Sequence, residues 1–130
     1  MSSYTLQIDV LPQYLAEQSQ PLQDVFAFAY TITVTNTGDI PAQLISRHWQ
    51  IQDERGHTEE VKGLGVVGQQ PLLRPGESFQ YTSGCRLQSA SGTMRGSYFF
   101  VAEDGHRFDV AIAPFVLESS VSYSAGRTLH

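Results

Sequence analysis

Apolar and polar residues alternate with a period of two along most of this 130-residue chain. That is the pattern of strands with one buried face. Tyr4, Leu6, Ile8 and Val10 alternate with Thr5, Gln7 and Asp9. Phe26, Phe28, Tyr30, Ile32 and Val34 fall on one face, and Thr31, Thr33 and Thr35 on the other. Ile45, Trp49 and Ile51 share a parity, and Thr58 to Lys62 reads as a short return strand. Phe79, Tyr81, Cys85 and Leu87 form a further face, followed by Met94, Tyr98 and Phe100. Phe108, Val110 and Ile112 close the series before Pro114.

Turn chemistry separates these runs. Asn36-Thr37-Gly38-Asp39, Asp53-Glu54-Arg55-Gly56, Leu73-Arg74-Pro75-Gly76-Glu77 and Glu103-Asp104-Gly105-His106 each combine residues that preset or tolerate turn dihedrals. No window sustains a helical pattern with caps, although Leu11 to Gln20 has room for one helical turn. Seven or eight strands with turn signals every 8 to 12 residues or so predict an all-β chain, an antiparallel β-sandwich. Trp49 is the expected central core aromatic, and Cys85 a small buried hydrophobe. We expect one domain over 1–118 and a flexible C-terminal tail over 119–130, where Ser and Gly replace the periodic pattern.

Composition narrows the functional classes. Eight Lys and Arg against thirteen Asp and Glu leave a formal charge of −5, so the basic footprint of a nucleic-acid binder is absent. At 41% hydrophobic and 16% charged, the chain is too apolar for disorder. A single Cys excludes a disulfide scaffold and fits a reducing compartment, so a cytoplasmic location is expected. No apolar run reaches the roughly 18 residues of a membrane span. Met1 to Leu15 does not have the layout of a signal peptide.

Several segments carry a family resemblance. They are Ser46-Arg47-His48-Trp49, Gly63-Leu64-Gly65-Val66-Val67-Gly68-Gln69-Gln70-Pro71, Pro75 through Cys85, Gly92-Thr93-Met94-Arg95-Gly96-Ser97-Tyr98 and Phe108-Asp109-Val110. In this order the chain resembles the bacterial ApaG family from about Tyr4 to Leu117. The resemblance implies an immunoglobulin-like or fibronectin-III-like sandwich. It also implies a link to cobalt and magnesium homeostasis and a gene beside a diadenosine tetraphosphate hydrolase. Similar domains in eukaryotic F-box proteins and in a DNA-polymerase-delta-interacting protein look like interaction modules. The resemblance brings no catalytic residue with it.

Four groups of residues bear on chemistry. Gly63 to Gly68 spells G-x-G-x-x-G, but a dinucleotide site needs a following helix and an acidic residue about 20 positions on. No Asp or Glu lies between Glu77 and Glu103. A Gly-rich strand end or bulge is the favoured reading. The alternative is a phosphate nest at Gly63, Gly65 and Gly68, with Arg47 or Arg95 as the anion partner. Arg47 itself is expected at the sheet rim, paired with a carboxylate, because an unpaired buried charge is costly. Metal ligation has only weak candidates, His57, His106 and Asp104 in two acidic turns. Glu59 and Glu60 are adjacent and point to opposite faces of a strand, a poor start for a carboxylate pair.

The expected function is therefore a non-catalytic binding module with a protein partner. It needs no cofactor and acts as a monomer or an edge-paired homodimer. A sensor of a phosphate-bearing small molecule at Gly63–Gly68 is the alternative, and an enzyme such as a nucleotide hydrolase is suggested by gene context alone. An exposed apolar patch near Gly63 to Leu73 is the feature that favours the first.

Overall fold

A computed structural model describes residues 2–119. Residues 120–130 of the expected tail lie outside the described residues, whereas the Ser119 amide donates to the Ala90 carbonyl at 3.0 Å. The strands are β1 (Leu6–Tyr14), β2 (Phe26–Asn36), β3 (Ala42–Asp53), β4 (Thr58–Leu64), β5 (Leu72–Leu73), β6 (Ser78–Leu87), β7 (Ser91–Ala102) and β8 (Arg107–Glu118). Short 3-10 turns at Ala16–Gln18 and Pro21–Gln23 follow β1, so the helical turn expected between Leu11 and Gln20 is confined to its second half. One sheet has the order β1-β2-β6. The other has the order β4-β3-β7-β8, with β5 pairing β3. Every strand pair is antiparallel. The molecule is an antiparallel sandwich of the immunoglobulin and fibronectin-III kind, as the alternation predicts. Among the described residues, no helix is long and apolar enough to cross a membrane.

The inward faces match the period-two reading in β2, β6 and most of β7. Phe28, Tyr30, Ile32 and Val34 are buried from one sheet, and Met94, Tyr98 and Phe100 from the other. Trp49 is 2% exposed and meets three rings edge-on: Tyr30 at 5.5 Å, Phe115 at 5.9 Å and Tyr98 at 6.3 Å between centroids. Such edge-to-face contacts add to the area the indole buries. The Tyr81 and Tyr98 hydroxyls pair at 2.5 Å across the sheets. Burial pushes the Tyr81 phenol up to about 12. A neutral, mutually bonded pair is what lets two hydroxyls sit in the core.

Two bulges depart from strict alternation. In β3 the register with β7 shifts between Leu44 and Ser46. Ala42 and Leu44 face the core before the shift, and Trp49 and Ile51 after it. Ile45 therefore does not share the inward parity of Trp49 and Ile51, as the sequence suggested; it is the extra residue. In β8 the register shifts opposite Met94 and Gly96, so Ala113 and Pro114 face one residue of β7. The last strand does not stop before Pro114. It runs on to Glu118 and places Phe115 and Leu117 in the core region. Pro114 is tolerated because β8 is an edge strand and the bulge needs no donor there.

The turns behave as their residues imply. Gly56, Gly76 and Gly105 close them with φ of 85°, 86° and 89°, a region that favours glycine. Buried Asn36 donates to the Ile40 and Leu73 carbonyls and accepts from the Gly38 amide. Buried Asp53 accepts the Arg55 and His57 amides on Oδ1.

Trp49 fills the centre of the core, so Trp49→Ala should lower stability by about 3 to 5 kcal/mol. Denaturant unfolding checks this; a loss under about 1 kcal/mol would remove Trp49 from the centre of the packing.

Candidate functional site

The bulge at Ile45 organises the region around it. The Ile45 carbonyl accepts the Gly65 amide at 2.8 Å and the Gln70 side-chain amide at 2.9 Å. One residue of β3 thus holds both ends of the loop that joins β4 to β5. Beyond the bulge, Arg47 returns to the inward side, where its register partners are Gly63 and Tyr98. Its Nη1 donates to the Leu64 carbonyl at 3.0 Å and the Gly65 carbonyl at 2.9 Å. Among the described residues no carboxylate pairs with it, contrary to expectation. Backbone carbonyls at a strand end take its place, because β4 stops at Leu64 and its last acceptors need donors.

Gly65 is required by its backbone, and Gly63 makes room for a side chain. At Gly63 a Cβ would lie 2.8 Å from the Arg47 guanidinium, so the missing side chain is the space through which Arg47 reaches the loop. At Gly65, φ is +62° and a Cβ would collide with the Gln69 carbonyl. The loop closes on itself through Val66 and Gln69, which exchange backbone bonds of 2.8 and 2.9 Å. Val66 is buried in the core. The strand that follows is Leu72–Leu73, not a helix, so the glycines serve a strand end and a tight loop.

The structure brings Gly63, Gly65 and Arg47 together. Gly68, with φ of 79°, stands at the exposed tip of the loop. Arg95 does not join them. Its register partner on β3 is Gln50, while its neighbours Met94 and Gly96 pair with inward Ile51 and Trp49. Arg95 and Arg47 are thus on opposite faces of the same sheet. The Arg47 guanidinium spends one nitrogen on carbonyls, which a phosphate-binding arginine would present to the anion.

The metal candidates are split between two ends of one sheet. His57 lies in the β3–β4 turn, and Asp104 and His106 in the β7–β8 turn, with the eleven register pairs of β3 and β7 between those ends. Among the described residues no group of three or more His, Cys, Asp or Glu is placed to hold a metal ion. Asp104 instead accepts the Tyr4 hydroxyl at 2.5 Å and the His106 amide at 3.0 Å. The His106 ring stacks on Tyr4 with centroids 4.0 Å apart. The Tyr4 hydrogen bond, then the His106 amide, holds the Asp104 carboxyl below the usual carboxylate range. This clasp ties the N-terminal segment to the β7–β8 turn. Sequence reading missed it because Tyr4 and Asp104 are 100 positions apart.

Cys85 is half-buried, 4.0 Å from the Met94 sulfur. Burial, and then the Glu59 charge, pushes its thiol up to about 12, so it is not a thiolate nucleophile at neutral pH. Glu59 and Glu60 do point to opposite sides, since they pair with inward Ile51 and outward Gln50. Glu60 accepts a hydrogen bond from His48 Nε2 at 2.6 Å. That bond, then the Lys62 charge, lowers the Glu60 carboxyl.

An open concavity of about 520 Å³ lies at the β3–β4 side of the larger sheet, lined by Ser46, His48, Lys62, Leu64, Phe99 and Asp109; the predicted site residues Arg47 and Gly63 also line it. Leu64, which lines it, is 74% exposed, and the same segment from Gly63 to Leu73 also exposes Val67 at 53% and Leu72 at 50%. Leu64 and Leu72 pair with Ser46 and Gln43 on β3. One signal for Leu64 was in the sequence: it shares parity with Glu60 and Lys62, so an inward β4 face sends it to solvent.

The family model described as the ApaG domain matches residues 16–102. The Protein ApaG of Acidovorax sp. (strain JS42) is 68% identical over 89% of this chain and 85% of its own length. That of Ralstonia nicotianae is 61% identical, covering 90% of this chain and 94% of its own. A crystal structure of a Bordetella pertussis protein described as ApaA superposes with a TM-score of 0.87 at 57% identity, over 88% of this chain and 94% of that one.

Gly65→Ala should cost about 1 to 3 kcal/mol of stability, through positive φ and the Gln69 carbonyl; chemical denaturation measures it. Tyr4→Phe should raise the Asp104 pKa back towards the ordinary carboxylate value, read by carboxyl NMR titration. The sign follows from the lowered folded pKa: the Asp104 contribution is present above the unfolded pKa and is lost as pH falls through the folded one. In Tyr4→Phe that acid-side loss should shrink.

Proposed function

The chain belongs to the ApaG-domain family, and from that premise we propose that it is a non-catalytic binding module whose partner is a protein. The observation that carries this reading is the exposure of Leu64, Val67 and Leu72 from one short segment at the edge of the larger sheet. Exposed large apolar side chains clustered beside a concavity are typical of a protein contact. His48, Lys62 and Asp109 supply a polar margin to the same face. The loop beneath is stapled to β3 through Ile45 and Arg47, so the apolar groups are presented on a fixed support. The link to cobalt and magnesium homeostasis that the family resemblance implies is assigned, in this reading, to the partner bound here.

The phosphate-sensor reading has less support. Arg95 faces away from the glycine loop, and Arg47 donates to that loop's own carbonyls.

The immobilised chain should retain a protein from an extract of its source cells, and the double variant Leu64→Asp with Leu72→Asp should lose it while melting at an unchanged temperature. No retained protein, or one retained equally by the variant, overturns the reading. Backbone NMR titration with pyrophosphate, ATP and a diadenosine polyphosphate gives the other arm. Saturable shifts confined to Gly65, Gly68 and Arg47 would replace protein binding with phosphate sensing.

A further inference from the structure

The two sheets are of unequal width. The smaller has three strands and the larger a path of four. β1 packs against β8, so the sheets are flush on that side and the mismatch falls on the other. There β4 extends past β6, and among the described residues no strand lies opposite it. The inward residues of β4 are Glu59, Val61 and Gly63, the register partners of Ile51, Trp49 and Arg47. Glu59 is exposed and Val61 only half-buried.

A groove occupies the place of the missing strand. One part, about 430 Å³, lies between Trp49, Ile51 and Val61 of the larger sheet and Gly84, Cys85 and Arg86 of β6. A second, about 120 Å³, shares Ile51, Glu59 and Arg86 with the first and continues to Asp53 and His57. Together they follow β3 from Arg47 to Asp53, about 20 Å at the rise of a strand.

The edge of β6 beside this groove has free backbone groups. The hydroxyls of Thr31 and Thr82, and of Thr35 and Ser78, meet at 2.8 and 2.7 Å. Such close side chains mark the non-hydrogen-bonded pairs of an antiparallel ladder. The Asn36 amide bonding to the Glu77 carbonyl has the same phase. Ser78, Gln80, Thr82, Gly84 and Arg86 therefore turn their backbone N–H and C=O groups away from β2. Among the described residues no backbone group pairs with that edge. An open edge of this length is ordinarily covered or blunted. Arg86 is its one charged side chain, and among the described residues it has no ion-pair partner.

We propose that the β6 edge and the groove beside it form a docking site for one extended strand of a partner protein, with an apolar side chain entering the groove over Val61 and an acidic one meeting Arg86. Main-chain pairing supplies the affinity and the groove the selectivity, as in other strand-addition complexes. The added strand makes the smaller sheet as wide as the larger and covers β4. A second copy of this chain does not fit. Pairing two β6 edges about a two-fold axis would drop each copy's β4 onto the other's β3. The occupant is a single strand without a second layer behind it. This site is separate from the Leu64 face and does not depend on it.

The test is selection of 12-residue peptides from a random displayed library on the full chain. Enriched peptides should alternate apolar and polar residues and carry an acidic residue. Their binding should slow amide exchange at Ser78, Gln80, Thr82, Gly84 and Arg86. N-methylation of alternate peptide amides, Val61→Lys and Arg86→Glu should each weaken it at least about tenfold. Leu64→Asp should leave it unchanged, which separates this site from the outward face. A selection without peptides that protect those five amides overturns the proposal. So does protection of the same amides by dimerisation of the chain alone, or peptide binding that Val61→Lys and Arg86→Glu leave intact in folded variants.

Discussion

The rest of the structure depends on one extra residue in β3. A strand alternates faces at every step, so a slip of one residue turns its whole apolar set outwards. β3 carries two apolar sets of opposite parity, Ala42 with Leu44, and Trp49 with Ile51, and both are buried. Only a bulge between them reconciles the two. The residue displaced there, Ile45, gives its carbonyl to Gly65 and Gln70. The same shift puts Arg47 on the inner side, where its guanidinium binds the carbonyls that end β4. The glycine loop, the buried Val66 and the exposed Leu64 and Leu72 all take their positions from that anchor.

The interior polar groups are engaged inside the fold. Each has a partner that leaves it neutral or satisfied. Tyr81 and Tyr98 bond to each other. Asn36 and Asp53 close turns through backbone groups. Cys85 has a thiol raised by burial. Buried polar groups engaged in this way specify one packing.

The unequal widths of the sheets leave the other functional consequence. Which side carries the surplus strand follows from the contact of β1 with β8. It leaves one side of the sandwich flush and the other with a groove between β4 and β6. The outward Leu64 face and this groove are two different kinds of surface, one presenting side chains and the other a backbone edge. Under the two proposals, one surface would meet a folded partner and the other an extended segment.

The period of two, the turn glycines and the Asn and Asp caps settled most of the architecture from the sequence, because each is a local requirement. The faces of β2 and β6, the Trp49 position and the turns at Gly56, Gly76 and Gly105 were all legible for that reason. Membership of the ApaG family was legible too, since it lies in the order of residues. What the sequence left open required contacts between distant positions. The bulges at Ile45 and Ala113–Pro114 break the alternation without a local signal strong enough to place them. Arg47 and Arg95 look equivalent in the chain, yet register puts them on opposite faces. The clasp of Tyr4 and Asp104, and the missing strand over β4, arise only when the two sheets are laid together. Periodicity speaks for a strand and its neighbours in sequence; which edges stay open is decided by packing between strands far apart in the chain.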